Sequence, residues 1–329
     1  MSLFDDNPLP PQDPAPHIPV SEAAQQAPGA APPEYLAGDP ISYAAIAPAL
    51  PYAAAKPTLP EDLRISWSWL HLFTFLFFGF ASLLVIQIGF AIYLTADRHL
   101  SSKQLQQLLE ANPKFIVGSN VLWFGALLLF LYVTLAVLPN SPFWRSLGWK
   151  RLNTNPGSGK GNPWVYFFSG CGLAILVGIA SIGVKNTDHV PIQDLFKSRS
   201  GAFLLMAMAV FVAPLVEETV FRGYLYPLFA SKFSRLAEKF GIDPLQAVRY
   251  GTAAGIFLTG LLFGLMHGAQ LGWTWGLVSM LILVGIVFTF ARARTGTVLA
   301  SFLLHLGYNS MIAVSSIIGT KGFTQLPGK

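Results

Sequence analysis

The chain has 329 residues, of which 53% are hydrophobic and only 11% charged, with a formal net charge of +5 at pH 7 and a mean hydropathy of +0.52. This excludes an ordinary soluble domain, in which about 25% of residues are charged, and makes the bilayer the solvent for most of the chain. The single cysteine, Cys171, excludes an intramolecular disulfide and a cysteine metal cluster, and in its apolar run it reads as small core filler.

In chain order, residues 1–62 come first. The stretch NPLPPQDPAPHIPVSEAAQQAPGAAPPEYLAGDP is rich in Pro and Ala, with acids and no Lys or Arg. It cannot bury enough apolar surface to fold, so a disordered acidic tail is expected, serving as solvated linker. It lacks the basic start and apolar core of a secretory signal, so the first membrane segment is expected to stay as an anchor. Residues 63–200 are read as N-terminal membrane helices, 201–318 as a membrane core holding the polar motifs, and 319–329 as a C-terminal tail.

Apolar runs cover Trp67 to Leu94, Phe115 to Leu138, Trp164 to Val184, Ala202 to Val216, Gly251 to Ala291 and Val298 to Ile318. A helix needs about 20 residues to cross the hydrocarbon core. The run from Gly251 is about twice that long and contains the Gly-rich HGAQLGWTWG, so it reads as two crossings joined by a tight turn. The expected fold is all-α: a polytopic integral membrane bundle of about seven or eight transmembrane helices. Trp67, Trp69, Trp164, Trp273 and Trp275 stand at span ends, where interfacial anchoring explains them.

Lys56 and Arg64 precede the first span. Arg145, Lys150, Arg151 and Lys160 fill the second loop, Lys232, Arg235, Lys239 and Arg249 the loop after the acidic motif, and Arg292 and Arg294 follow the sixth span. An N-terminus-in arrangement puts these in the cytoplasm, in the inner membrane if the cell is bacterial. The other loops hold Arg98, Lys103, Lys114, Lys185, Lys197 and Arg199, a smaller set. The net positive charge thus reads as topology, and nucleic acid is not an expected partner.

Three polar patterns interrupt the apolar second half. The first is Glu217, Glu218 and Arg222 in FVAPLVEETVFRGYLYPLF. The second is FGLMH, ending at His267, and the third is HLGYN, giving His305 and Asn309. Glu218 and Arg222, four apart with the acid first, share a helix face and form an internal ion pair that holds helix register. Glu217 is rotated by about 100° and left without that partner. An unpaired acid at membrane depth costs about 2.5 to 3.5 kcal/mol on insertion scales, so it is protonated or lines a wet cavity, where it suits general acid–base work. His305 and Asn309 also share one face; the imidazole can take or give a proton and the amide can donate to an oxyanion. His267 follows a face of Gly260, Phe263 and Gly264 small enough for close helix approach. The bland readings are packing glue for the histidines and an inert pair for Glu218 with Arg222. They leave Glu217 unexplained.

HExxH and GxSxG are absent, and GSGKGN at 157–162 lacks the order of a phosphate loop. The ordered set EExxxR, FxxxH and HxxxN resembles the CPBP intramembrane proteases, which include the type II CAAX prenyl endopeptidases and the bacterial Abi proteins linked to bacteriocin processing or immunity. The resemblance covers roughly Gly201 to Ile318. It implies that Glu217 and His267 activate a water for attack on a peptide carbonyl, that His305 and Asn309 stabilise the oxyanion, and that Glu218 with Arg222 holds the helix. It also implies a polypeptide substrate that is membrane-associated or lipidated. The family is usually called metalloproteolytic, which would make Glu217, His267 and His305 three zinc ligands with water in the fourth position. A metal-free route with Glu217 as base uses the same atoms. No ligand pair stands at i, i+4, which weighs against a permanently bound zinc, and the sequence leaves both routes open. The alternative is a non-enzymatic immunity protein or a transporter, although no internal repeat accompanies the polar motifs. His267 stands beside the Gly-rich turn while Glu217 and His305 are near the middle of their runs. Convergence therefore requires the fifth span to tilt, or to continue past Gly268, around a water-filled cavity.

Overall fold

Three of the membrane helices begin with the same two-residue device. In Asn112-Pro113, Asn162-Pro163 and Asp243-Pro244 the Asx side chain accepts from a first-turn amide, of Lys114 (3.0 Å), Trp164 (3.0 Å) and Leu245 (3.1 Å) respectively. The proline occupies a first-turn position, where a missing N–H costs nothing.

The computed structural model describes residues 59–98, 104, 112–152, 161–184 and 199–324. Within them a single 3₁₀ turn, Glu61–Leu63, precedes α1 (Trp69–Arg98). Then follow α2 (Pro113–Val137, its last turn π-helical), the short α3 (Phe143–Ser146), α4 (Pro163–Ser181), α5 (Arg199–Lys239), α6 (Pro244–Met266), α7 (Trp275–Thr295) and α8 (Val298–Gly319). No strand is present among the described residues, and all of these helices except α3 are long and apolar enough to cross a membrane. The protein is an all-helical, multi-pass integral membrane protein.

Several sequence expectations shift. The fourth span does not stop at Val216. It runs for 41 residues, roughly 60 Å at 1.5 Å per residue and twice a bilayer core, so the acidic motif lies inside a helix whose last turns carry Lys232, Arg235 and Lys239 and pack along α6 through Ala230 and Ser234. The fifth span starts at Pro244 rather than Gly251, which makes His267 the cap at the far end of a full-length helix. Trp67 is not an interfacial anchor: it is 5% exposed, stacked on Tyr224, and donates its indole N–H to the Tyr224 carbonyl. Trp164, Trp273 and Trp275 are exposed as expected. Of the expected tail, residues 1–58 lie outside the described residues, as do 325–329. In the described end of the tail Pro60 and Glu61 are exposed, while Leu59, with Leu63 just beyond it, packs against Tyr226 and Ala230 of α5 and Asp62 pairs with Arg292 at 3.2 Å.

Packing follows small residues. The α4 and α8 backbones meet at Gly170 and Gly307, where an added Cβ would run into the carbonyl oxygens of Leu304 and Phe167. Gly260 and Gly264 let α6 lie against Ile286 and Ile282 of α7, the close approach expected of that face. The largest apolar cluster gathers α1, α2, α3 and the middle of α5 around Phe75, Leu131, Leu147 and Tyr224. It fills the half of the bundle on the side of the chain's N-terminal turn.

Candidate active site

The local structure of α5 starts from two prolines. Pro214 and Pro227 have no N–H and crowd the carbonyl four residues back, and each follows a widened, π-helical stretch, Met208–Val212 and Glu218–Leu225. In the first stretch the register is i to i−5, as shown by the Ala213 amide on the Met208 carbonyl. The next bond in that register would run from Pro214 to the Ala209 carbonyl and cannot form. The Asn309 side-chain amide of α8 takes the place, donating to Ala209 O at 2.8 Å. Widened turns are frequent at functional sites, and both π stretches of α5 flank Glu217.

Glu218 and Arg222 form the expected pair, Nη1 to Oε1 at 2.8 Å, with both side chains 0% exposed. The guanidinium is also fixed by the Thr289 hydroxyl (3.2 Å) and the Gly285 carbonyl (2.9 Å) of α7. It lies over the ring of Phe263, 4.5 Å from the centroid, and this set of donors and π faces compensates the charge in place of water. The same Glu218 Oε1 accepts from Nδ1 of His305 at 2.9 Å. The carboxylate therefore orients an imidazole as well as bracing the helix, and with Nδ1 donating, the neutral ring presents a bare Nε2.

His267 is oriented in the same manner from α6. Its Nδ1–H donates to the Phe263 carbonyl at 2.7 Å, so its Nε2 is also free for the cavity. Both Nε2 atoms face Glu217, His267 at 4.0 Å from Oε1 and His305 at 3.8 Å from Oε2. Glu217 is 18% exposed while its neighbour Glu218 is fully enclosed, the two-way split that a 100° rotation predicts. The Phe263 and Phe288 rings wall the group, at 5.7 and 4.9 Å from the His305 ring. Glu217, His267, His305 and Asn309 all line one cavity of about 830 Å³ whose remaining walls are chiefly apolar, with Met206, Met280 and Leu281 among them.

The structure brings Glu217, His267 and His305 together, and it ties Asn309 to α5 through one amide hydrogen. Sequence reasoning missed Thr289, Gly285 and Phe288, which carry no motif, and the hold of Glu218 on His305. Distances of 3.8 to 4.0 Å are too long for direct hydrogen bonds and right for a water about 2.8 Å from each partner. As to zinc, two imidazoles and a carboxylate are suitable donors, but the histidines approach opposite oxygens of Glu217. Among the described residues no three His, Cys, Asp or Glu side chains close on a point that could hold an ion. The arrangement therefore does not fit a metal, and no chemical step is routed through one.

Fold and site together define a polytopic helical membrane protein with an acid and two imidazoles converging in a half-buried cavity. Residues 199–311, about a third of the chain, match the family described as Type II CAAX prenyl endopeptidase Rce1-like, the group to which EExxxR, FxxxH and HxxxN pointed. Comparison with curated proteins and with solved structures finds no match.

Proposed function

We propose that the protein is an intramembrane endopeptidase in which Glu217 acts as general base on a water held between its carboxylate and the Nε2 atom of His267, with His305 on the other side of the carboxylate for the oxyanion. The general class, a CAAX-type membrane endopeptidase, is supported by the family match over 199–311. The observation that carries the mechanism is Glu217 itself, a cavity-lining carboxylate outside the Glu218–Arg222 pair, with an imidazole nitrogen near each oxygen.

In the reaction the water oxygen attacks the peptide carbonyl carbon while Glu217 takes the water proton, which it later gives to the leaving amine. His267, its Nδ1–H held by Phe263 O, accepts a hydrogen bond from the same water and aims it. The oxyanion is stabilised by His305 when it carries a proton on Nε2, with Glu218 at Nδ1 supporting that cationic ring, and by the second N–H of the Asn309 amide. The apolar walls suit a membrane-associated or lipidated polypeptide. The N-terminal side, which carries the basic loops, is assigned to the cytoplasm. An immunity or transport role has no observation of its own to favour it.

The test is a survey of peptide termini in membranes of cells carrying the native chain or Glu217→Gln at equal abundance. New termini that vanish with the variant establish proteolysis and name the substrate. Identical termini in both sinks the enzymatic reading.

A further inference from the structure

A second cavity, of about 300 Å³, lies where the N-terminal turn, α3, α5 and α7 meet, and it shares no lining residue with the cavity that holds Glu217. Its walls carry four cations, Arg64, Arg145, Lys150 and Arg292, against two carboxylates, Glu61 and Asp62. Both carboxylates are engaged: Asp62 Oδ2 accepts from Nη1 of Arg292 at 3.2 Å, and Glu61 Oε1 from Nζ of Lys150 at 3.0 Å. Positive charge is therefore in excess. Arg145 is exposed, and its side chain makes no hydrogen bond or ion pair among the described residues.

Arg292 supplies the second observation. Its side chain is 1% exposed, yet its Nε, a buried donor, has no acceptor. A charged donor enclosed without a partner is costly, and an oxygen brought by a ligand removes that cost. An added Cβ at Gly148 (φ +80°) would stand 2.7 Å from Nη2 of the same guanidinium, so only glycine lets the cavity wall run this close to it.

The position along the helices points to the source of the ligand. Glu61, Asp62 and Arg64 directly precede α1, Arg145 and Lys150 follow α2, and Arg292 is in the last turn of α7. The ends of spans lie at the level of lipid headgroups, whichever face of the membrane this is. Basic pockets between membrane helices take phosphate-bearing headgroups, and a guanidinium offers phosphate two parallel N–H donors. We propose that this cavity binds the phosphate of an anionic lipid headgroup, with the Arg145 and Arg292 guanidiniums as donors. The site stands whether or not Glu217 is catalytic and whichever way the chain spans the membrane.

The test uses the purified full-length chain at constant ionic strength, followed by thermal unfolding. It is titrated with a short-chain phosphatidic acid, with the phosphatidylcholine of the same chains, or with inorganic phosphate. Phosphatidic acid is expected to raise the melting temperature to a plateau, and phosphatidylcholine to give none. Arg145→Gln should move the midpoint of the titration about tenfold higher, the loss of one charge-assisted hydrogen bond. Lys239→Gln, which removes an exposed cation outside the cavity, should leave it in place. A midpoint unchanged by Arg145→Gln, or shifted equally by the two variants, shows attraction to the general charge of the protein and overturns the site. Absence of a plateau with phosphatidic acid, or an equal one with phosphatidylcholine, overturns it as well. An equally tight plateau with inorganic phosphate, weakened by Arg145→Gln, keeps the phosphate site and overturns the lipid as its source.

Discussion

Two adjacent glutamates differ by one position and by nearly everything in their surroundings. Glu217, on the cavity side, lies outside the ion pair, so Glu217→Gln should lower turnover by about 10²- to 10⁴-fold with an unchanged melting temperature; rate and thermal unfolding of the purified protein check it together. Glu218→Gln strips the fully enclosed Arg222 of its counterion and should cost about 3 to 5 kcal/mol, read as a loss of folded protein. Replacing both, as Glu218→Met with Arg222→Leu, should restore stability, since Thr289 itself donates to the Gly285 carbonyl (2.7 Å) that Arg222 leaves. It should not restore turnover, because Nδ1 of His305 then lacks its acceptor. An active double variant would reduce Glu218 to a helix brace. The i, i+4 spacing made the ion pair legible in the sequence. The Glu218–His305 contact was illegible, because it joins residues 87 apart whose helices could have met at any rotation.

At the level of elements, the position of α8 depends on contact with α4. Gly307→Ala drives a methyl into the Phe167 carbonyl, and overpacking of this kind costs about 1 to 3 kcal/mol. It should also lower turnover, since α8 carries His305 and Asn309. Gly172, on the same helix as Gly170 but with open space at its Cβ, provides the control: Gly172→Ala should change neither. Equal losses with the two would show that the close approach to Phe167 is not what positions α8, since Ala is the better helix former and propensity alone would stabilise both. Asn309→Ala frees the Ala209 carbonyl that Pro214 leaves unpaired, an expected loss of about 1 to 3 kcal/mol readable by thermal unfolding. The prolines were visible in the sequence, but the widened turns they cause were not, because a helical pattern is read at 3.6 residues per turn and a local change of register leaves composition untouched.

For the whole molecule, one face is held together by charges that join distant connections. Arg292 is 1% exposed and paired with Asp62, so Asp62→Asn should loosen the N-terminal turn and lower the melting temperature, while a variant with Arg292→Met and Asp62→Leu should recover much of it. Beside it the Lys150 ammonium, hydrogen-bonded to Glu61, holds that carboxyl below its ordinary value of 4.5. A lowered carboxyl contributes stability that is present above its unfolded pKa and lost as pH falls through the folded one. Lys150→Gln should therefore remove a small part of the acid-side slope of stability below about pH 4.5, and an unchanged slope would show the exposed pair to be screened out.

The class of molecule was legible in the apolar runs alone, because runs of bilayer length admit only helices or closed barrels and these lack strand alternation. It also determined the candidate residues, because polar groups at membrane depth are costly enough to stand out one by one. Convergence was left to packing: α6 begins at Pro244 and so carries His267 to the level of Glu217, and one carboxylate orients His305 while its neighbour faces the cavity. Those outcomes depend on how helices rotate and slide against one another. That is set by backbone contact at Gly170, Gly260, Gly264 and Gly307, and hydropathy does not report it.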